Sequence, residues 1–120
     1  MGFIWVALGG AAGAVARYAV SLIPAKTVFP ILTLITNVIG AVVIGFVVGA
    51  VSDREDISQN VVLFWKTGVC GGFTTFSTFS LEACGLFENK LYVQGGVYVV
   101  LSVVCSILGV IIGRKLALLR

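Results

Sequence analysis

The chain has 120 residues, of which 59% are hydrophobic and only 11% charged, whereas an ordinary soluble domain carries about a quarter charged residues. Eight Lys and Arg against five Asp and Glu give a formal net charge of +3, but the basic residues are scattered, with no block of the kind that binds nucleic acid. Histidine is absent, which removes the commonest general base and the usual nitrogen ligand of zinc, copper or iron; the composition argues against hydrolytic and transition-metal chemistry and for a membrane protein that is not an enzyme.

A membrane-spanning helix takes about 20 residues, so four passes use roughly 80 residues and leave only short loops. The first apolar segment runs from Phe3 to Ile23 and stops at Pro24. No Lys or Arg precedes Arg17 and no A-x-A-like site follows, so the segment is expected to be a span rather than a cleaved signal. The second runs from Val28 to Val51, with Pro30 in its first turn, where the missing N–H has no intrahelical use. Ser52 to Asn60 is the polar loop. The third segment runs from Val61 to Phe87 and ends at the Glu88-Asn89-Lys90 turn; the fourth runs from Leu91 to Gly113 and leaves Arg114, Lys115 and Arg120 in an aqueous tail. These spans form a single transmembrane domain over residues 1–120.

Four passes place both termini on one side, with Arg54, Lys66, Arg114, Lys115 and Arg120 there and Arg17, Lys26 and Lys90 on the other. That bias is small, so orientation is weakly specified. Trp5 and Trp65 open the first and third spans as interfacial anchors, and Tyr92 marks the opposite face. Gly9 with Gly13, Gly45 with Gly49 and Gly109 with Gly113 are G-x-x-x-G pairs, the pattern that lets helix backbones approach closely in lipid. Cys70, Cys84 and Cys105 form no C-x-x-C and sit in apolar segments, as free thiols.

Polar groups inside the spans carry the chemistry. The third span holds Gly71-Gly72-Phe73-Thr74-Thr75-Phe76-Ser77-Thr78-Phe79-Ser80 at its middle. Two readings are open: the hydroxyls bond back to preceding carbonyls of a continuous helix, or the helix breaks and presents backbone groups to protein, water or an ion. Five hydroxyls in so short a run favour the break, and its freed carbonyl oxygens suit a hard monovalent cation such as sodium. Asn37 lies mid-way along the second span with Thr33 one turn before it, and Tyr98, Ser102 and Ser106 form a stripe of hydroxyls on the fourth. Each alone reads as packing; aligned, they offer amide and hydroxyl donors without a full negative charge, which suits a small anion. Phe76 and Phe79 add ring edges with positive partial charge, or form a plain apolar face. Arg17 is about 9 Å from the end of its span by helical rise, and it serves either as a snorkelling anchor or as a vestibule charge that attracts anions. Glu82 is likewise anchor or acceptor.

Taken together, the first-span GxxGAxxR of Gly10 to Arg17, Asn37 with Gly40, and the GGFTTFSTFS run make the whole chain similar to the Fluc, or CrcB-type, fluoride channels. The resemblance implies an all-α membrane protein with four transmembrane helices per subunit and the third broken in its middle. It implies an antiparallel, dual-topology homodimer, or a pair of homologous subunits of opposite orientation, in a prokaryotic plasma or inner membrane. It further implies a structural sodium ion held by backbone carbonyls at Gly71 and Thr74, pore phenylalanines Phe76 and Phe79, a pore asparagine Asn37, and a hydroxyl track of Ser77, Thr78, Tyr98, Ser102 and Ser106. Arg17 matches the first-span arginine.

The expected function is passive export of fluoride from the cytoplasm, which reduces its toxicity. A small dual-topology multidrug exporter is the alternative, although such a proton-coupled pump wants an acid in its first span, which holds Arg17 and no Asp or Glu. A non-transporting assembly protein that docks through its glycine faces is the third reading.

Overall fold

The structure, a computed structural model, describes residues 1–25 and 27–119. Lys26 and Arg120, which the charge balance assigns to opposite sides, lie outside the described residues. The described residues contain helices and no strand. Helix α1 is Gly2–Ser21 and α2 is Ile31–Val51. Helix α3 covers 59–73 and is made of Gln59–Val62, a π-helical stretch Leu63–Cys70, and Gly71–Phe73. Helix α4 is Phe76–Glu88 and α5 is Tyr92–Leu118.

The helix boundaries follow local chemistry and differ by a few residues from the expected span limits. Helix α1 ends two residues short of Ile23, because the residue before Pro24 is pushed out of the helical region. Its last turn closes with Leu22 and Ile23 N–H groups donating to Ala19 and Val20. Pro30 caps α2 from outside instead of sitting in its first turn, since Phe29, the residue before it, is disfavoured as helix; the Thr27 hydroxyl accepts from the Phe29 N–H and turns the chain there. Ser58 starts α3 two residues earlier than Val61 by accepting from the Asn60 N–H at 3.2 Å, an N-cap. Helix α5 does not stop at Gly113 but carries Arg114 and Lys115 in its last turns, because its contact with α2 continues to the buried Ala117, which faces Gly49.

Helix α2 packs along α5, and α1 packs along α3. The glycine pairs explain both contacts: a Cβ on Gly13 would be driven into the Val69 carbonyl, and one on Gly113 into that of Val42. Such approach gains van der Waals contact where apolar lipid offers no hydrophobic drive. A small core of Leu34, Phe79, Ala83, Leu86 and Tyr98 lies between α2, α4 and α5. Trp5 stands edge-on to Phe64, which meets Trp65 in the same way, so both tryptophans mark one end of the molecule. In the polar loop Arg54 donates to both Asp56 oxygens, at 3.1 and 2.7 Å, and the guanidinium holds that carboxyl below the usual carboxylate range.

Helices α1, α2 and α5 are long and apolar enough to cross a membrane, and large apolar side chains such as Phe3, Leu81 and Val93 face outward. So much exposed apolar surface belongs against lipid or another chain. This is an all-α membrane protein.

Candidate functional site

The centre of the molecule is the interruption between α3 and α4. Thr74 (φ −130°, ψ 100°) and Thr75 (φ −113°, ψ 123°) are extended, a conformation that suits β-branched residues. Each hydroxyl closes one of the helix ends. Thr74 Oγ1 donates to the Cys70 carbonyl at 2.7 Å, and Thr75 Oγ1 accepts from the Thr78 N–H at 3.3 Å as the N-cap of α4. Back-bonding and breakage, the two readings of this run, therefore coexist in neighbouring threonines.

Three outside residues hold the interruption. Asn37 Oδ1 accepts from the Thr75 N–H at 3.2 Å. Gly40, on the same face of α2, leaves room for the Thr74 methyl, with which any Cβ at Gly40 would collide. Arg17 Nε donates to the Gly72 carbonyl at 3.3 Å. The Asn37 contact also fixes the sense of its amide: the oxygen is occupied by a backbone donor, and Nδ2 has no protein partner among the described residues. What Asn37 presents to its surroundings is an N–H pair.

An open groove of about 440 Å³ runs along this region. Of the residues nominated from sequence, Asn37, Thr74, Phe76, Phe79, Ser102 and Ser106 line it. Phe76 is 78% exposed and Phe79 only 8%, with ring centroids 5.4 Å apart, so Phe76 projects outward from a buried ring. Ser102 is 7% exposed and its Oγ has no hydrogen-bond partner among the described residues. A buried hydroxyl without a partner costs free energy unless something polar meets it. Gly40 and Thr75 also line the groove; nothing in the sequence separates Thr75 from the other hydroxyls of its run.

The remaining nominated residues lie elsewhere. Tyr98 is fully buried behind Phe79, at a centroid distance of 5.1 Å, and its hydroxyl donates to Glu82 Oε1 at 3.1 Å. Glu82 is thus an acceptor inside the protein. Arg17 and Thr78 line a second pocket of about 70 Å³ with Thr33 and Thr36; Asn37 and Thr75 belong to both spaces and form the wall between them. Ser77 is exposed and lines neither. Gly71 is exposed, with open space where a Cβ would stand.

The two helix ends are electrostatically opposite. The C-terminal end of α3 presents carbonyl oxygens, equivalent to roughly half a negative charge, and the N-terminal end of α4 presents N–H groups and roughly half a positive charge. Among the described residues no side chain bonds the Gly71 carbonyl, and no group of three His, Cys, Asp or Glu is placed to hold a metal ion. A cation here would meet oxygens of the main chain, and an anion would meet N–H, hydroxyl and ring edges.

The sequence profile of the family described as CrcB-like protein, Camphor Resistance (CrcB), matches residues 4–114 of the chain. The chain belongs to the CrcB family. Among its CrcB relatives, the fluoride-specific ion channel FluC of Clostridium perfringens is 45% identical over 115 residues, which cover 93% of this chain and 90% of the relative. FluC of Rhizobium johnstonii is 45% identical over 120 residues, 98% and 94% of the two chains. FluC of a Hydrogenobaculum species is 41% identical over 118 residues, 97% of each. Groove and interruption alike fall within the matched span.

Proposed function

We propose that this CrcB chain is a subunit of a fluoride-specific channel, which lets the ion leave the cytoplasm passively and so limits its toxicity. The observation that carries this reading is the amide of Asn37: its oxygen is bound to Thr75, so it offers the groove only donors, beside the Phe76 and Phe79 rings and the unpartnered Ser102 hydroxyl. A small anion gives up strongly held water and needs short hydrogen bonds in return, whereas a larger halide gains less from each. The names of the relatives support the same ion.

The proposed assembly has four spans per subunit, the third being α3 and α4 in series, and a single channel domain over residues 1–120 in a prokaryotic cell membrane. Its partner is a second copy in the opposite orientation, or a homologous subunit, which closes the open groove into a pore. Asn37, Phe76, Phe79, Ser102 and Ser106 are pore residues of this reading; of the rest of the hydroxyl track, Thr78 would serve from the adjoining pocket, Tyr98 only indirectly from behind Phe79, and Ser77 only where the second subunit closes over it. The main-chain oxygens of Gly71 and Thr74 would hold a structural sodium ion, as hard donors without a carboxylate suit a monovalent cation. There it would balance the negative end of α3 and tie two copies together.

The test is efflux of trapped fluoride from liposomes, followed by electrode, with a potassium ionophore to dissipate the potential. The intact protein should release fluoride and retain chloride. Phe76→Ile should slow release at least about tenfold, the equivalent of 1.4 kcal/mol in the barrier. Equal release of the two halides would sink the reading.

A further inference from the structure

Arg17 is the one charged residue of α1, it is half-buried, and its place needs an explanation beyond anchoring. It shares a helix face with Gly10 and Gly13 at i, i+3 and i+7. Those glycines bring α1 onto the end of α3: a Cβ on Gly13 would lie 2.6 Å from the Phe73 nitrogen, and one on Gly72 would be driven into the Gly10 carbonyl. The next residue along the face is Arg17, whose Nε reaches the Gly72 carbonyl, 55 positions away in sequence. Gly72 belongs to the last turn of α3, where no following turn supplies N–H donors. The Thr74 hydroxyl serves the Cys70 carbonyl of this end, and Arg17 serves that of Gly72. A cation there also offsets the negative end of the helix dipole.

We propose that Arg17 is a positioning residue. Its guanidinium clamps the end of α3 at Gly72, which sets Thr74 and Thr75 and, through the Thr75 N–H, the orientation of the Asn37 amide. The rival role is that of an anion attractor, which would act on the concentration of ions at the entrance and leave the backbone alone. The flux side of the proposal rests on the fluoride reading above; its structural side does not.

Two measurements on full-length protein separate these roles, using Arg17→Gln and Arg17→Lys. In liposomes, initial fluoride flux is measured against fluoride concentration. A clamp predicts a maximal rate lowered about tenfold with an unchanged half-saturating concentration, partly restored by Arg17→Lys, which keeps a donor and the charge. Hydrogen exchange over 70–78 in detergent should then be at least about tenfold faster in Arg17→Gln than in the unsubstituted protein, with Arg17→Lys between them. Unaltered exchange with a raised half-saturating concentration, abolished at high ionic strength, would overturn the proposal in favour of an attractor. If Arg17→Gln does not accumulate folded, the Arg17→Lys comparison decides alone, since unaltered exchange and maximal rate there would overturn a role that depends on guanidinium geometry. If the unsubstituted protein carries no fluoride, the functional reading fails while the exchange measurement still tests the clamp.

Discussion

Asn37 and Ser102 are two polar side chains in the same groove that differ in how much of their bonding capacity the protein uses. Asn37 spends its oxygen on the Thr75 N–H, so substitutions there separate holding the backbone from facing the groove. Asn37→Asp keeps an acceptor for Thr75 and replaces two donors by a negative charge; fluoride efflux should fall by two orders of magnitude or more, while exchange over 70–78 stays near that of the unsubstituted protein. Asn37→Ala removes both functions and takes its side-chain acceptor from the half-buried Thr75 N–H, at a cost below the roughly 1–3 kcal/mol of a fully buried unpaired donor; efflux should fall and exchange should accelerate together. Ser102 gives the opposite signature. Its hydroxyl has no partner among the described residues, so Ser102→Ala should leave the melting temperature unchanged or raise it slightly, yet slow efflux, because the methyl offers nothing to an anion. A Ser102→Ala protein that melts lower would mean the hydroxyl has a structural partner in the assembly.

At the level of the helices, the turn from α4 to α5 carries a cost at one residue. Leu91 N–H donates to the Leu86 carbonyl at 2.8 Å and Lys90 N–H to that of Phe87 at 3.0 Å, the paired bonds of a Schellman cap. Lys90 therefore takes the left-handed position at φ 61°, which glycine occupies without penalty. Lys90→Gly should raise stability by about 1 kcal/mol, read as a higher thermal midpoint in detergent with unchanged efflux. The sequence shows the turn plainly but not its handedness. The same limit applies to the interruption of the third span. Adjacent β-branched hydroxyls beside two glycines announce it within the run from Gly71 to Ser80, yet Thr74 and Thr75 are singled out by Asn37, Gly40 and Arg17, whose contacts lie up to 55 positions away. Tyr98, aligned with Ser102 and Ser106 by helical spacing, turns out behind a ring instead of on the groove, because that spacing fixes a face and not what stands in front of it. The π-helical stretch is not legible, since nothing in the residues of Leu63–Cys70, Lys66 included, calls for the wider winding over an ordinary helix.

For the molecule as a whole, an extent of 52 × 29 × 21 Å with apolar side chains outward describes a slab that needs covering on its broad faces. Helix α5, with 27 residues, is about 40 Å long, against a hydrocarbon core of about 30 Å, so it carries Arg114 and Lys115 beyond the apolar zone. The proposed dual orientation predicts the outcome of impermeant thiol labelling in cells. With Cys84 and Cys105 replaced by Ser, a Lys90→Cys variant should be labelled to roughly one half from outside, and the rest only after the membrane is opened; complete or absent outside labelling would mean a single orientation. Helix α3 carries the wide winding of Leu63–Cys70. One residue of an α-helix subtends about 100°, and a stretch bonded to the fifth neighbour instead of the fourth turns less for the same number of residues. Wound regularly, this stretch would carry the threonines roughly that much farther round, away from α1 and α2, while Gln59–Val62 before it stayed in place. The slack turn takes up that angular error, so the aromatic end and the midplane end of one rod are in phase with their separate partners.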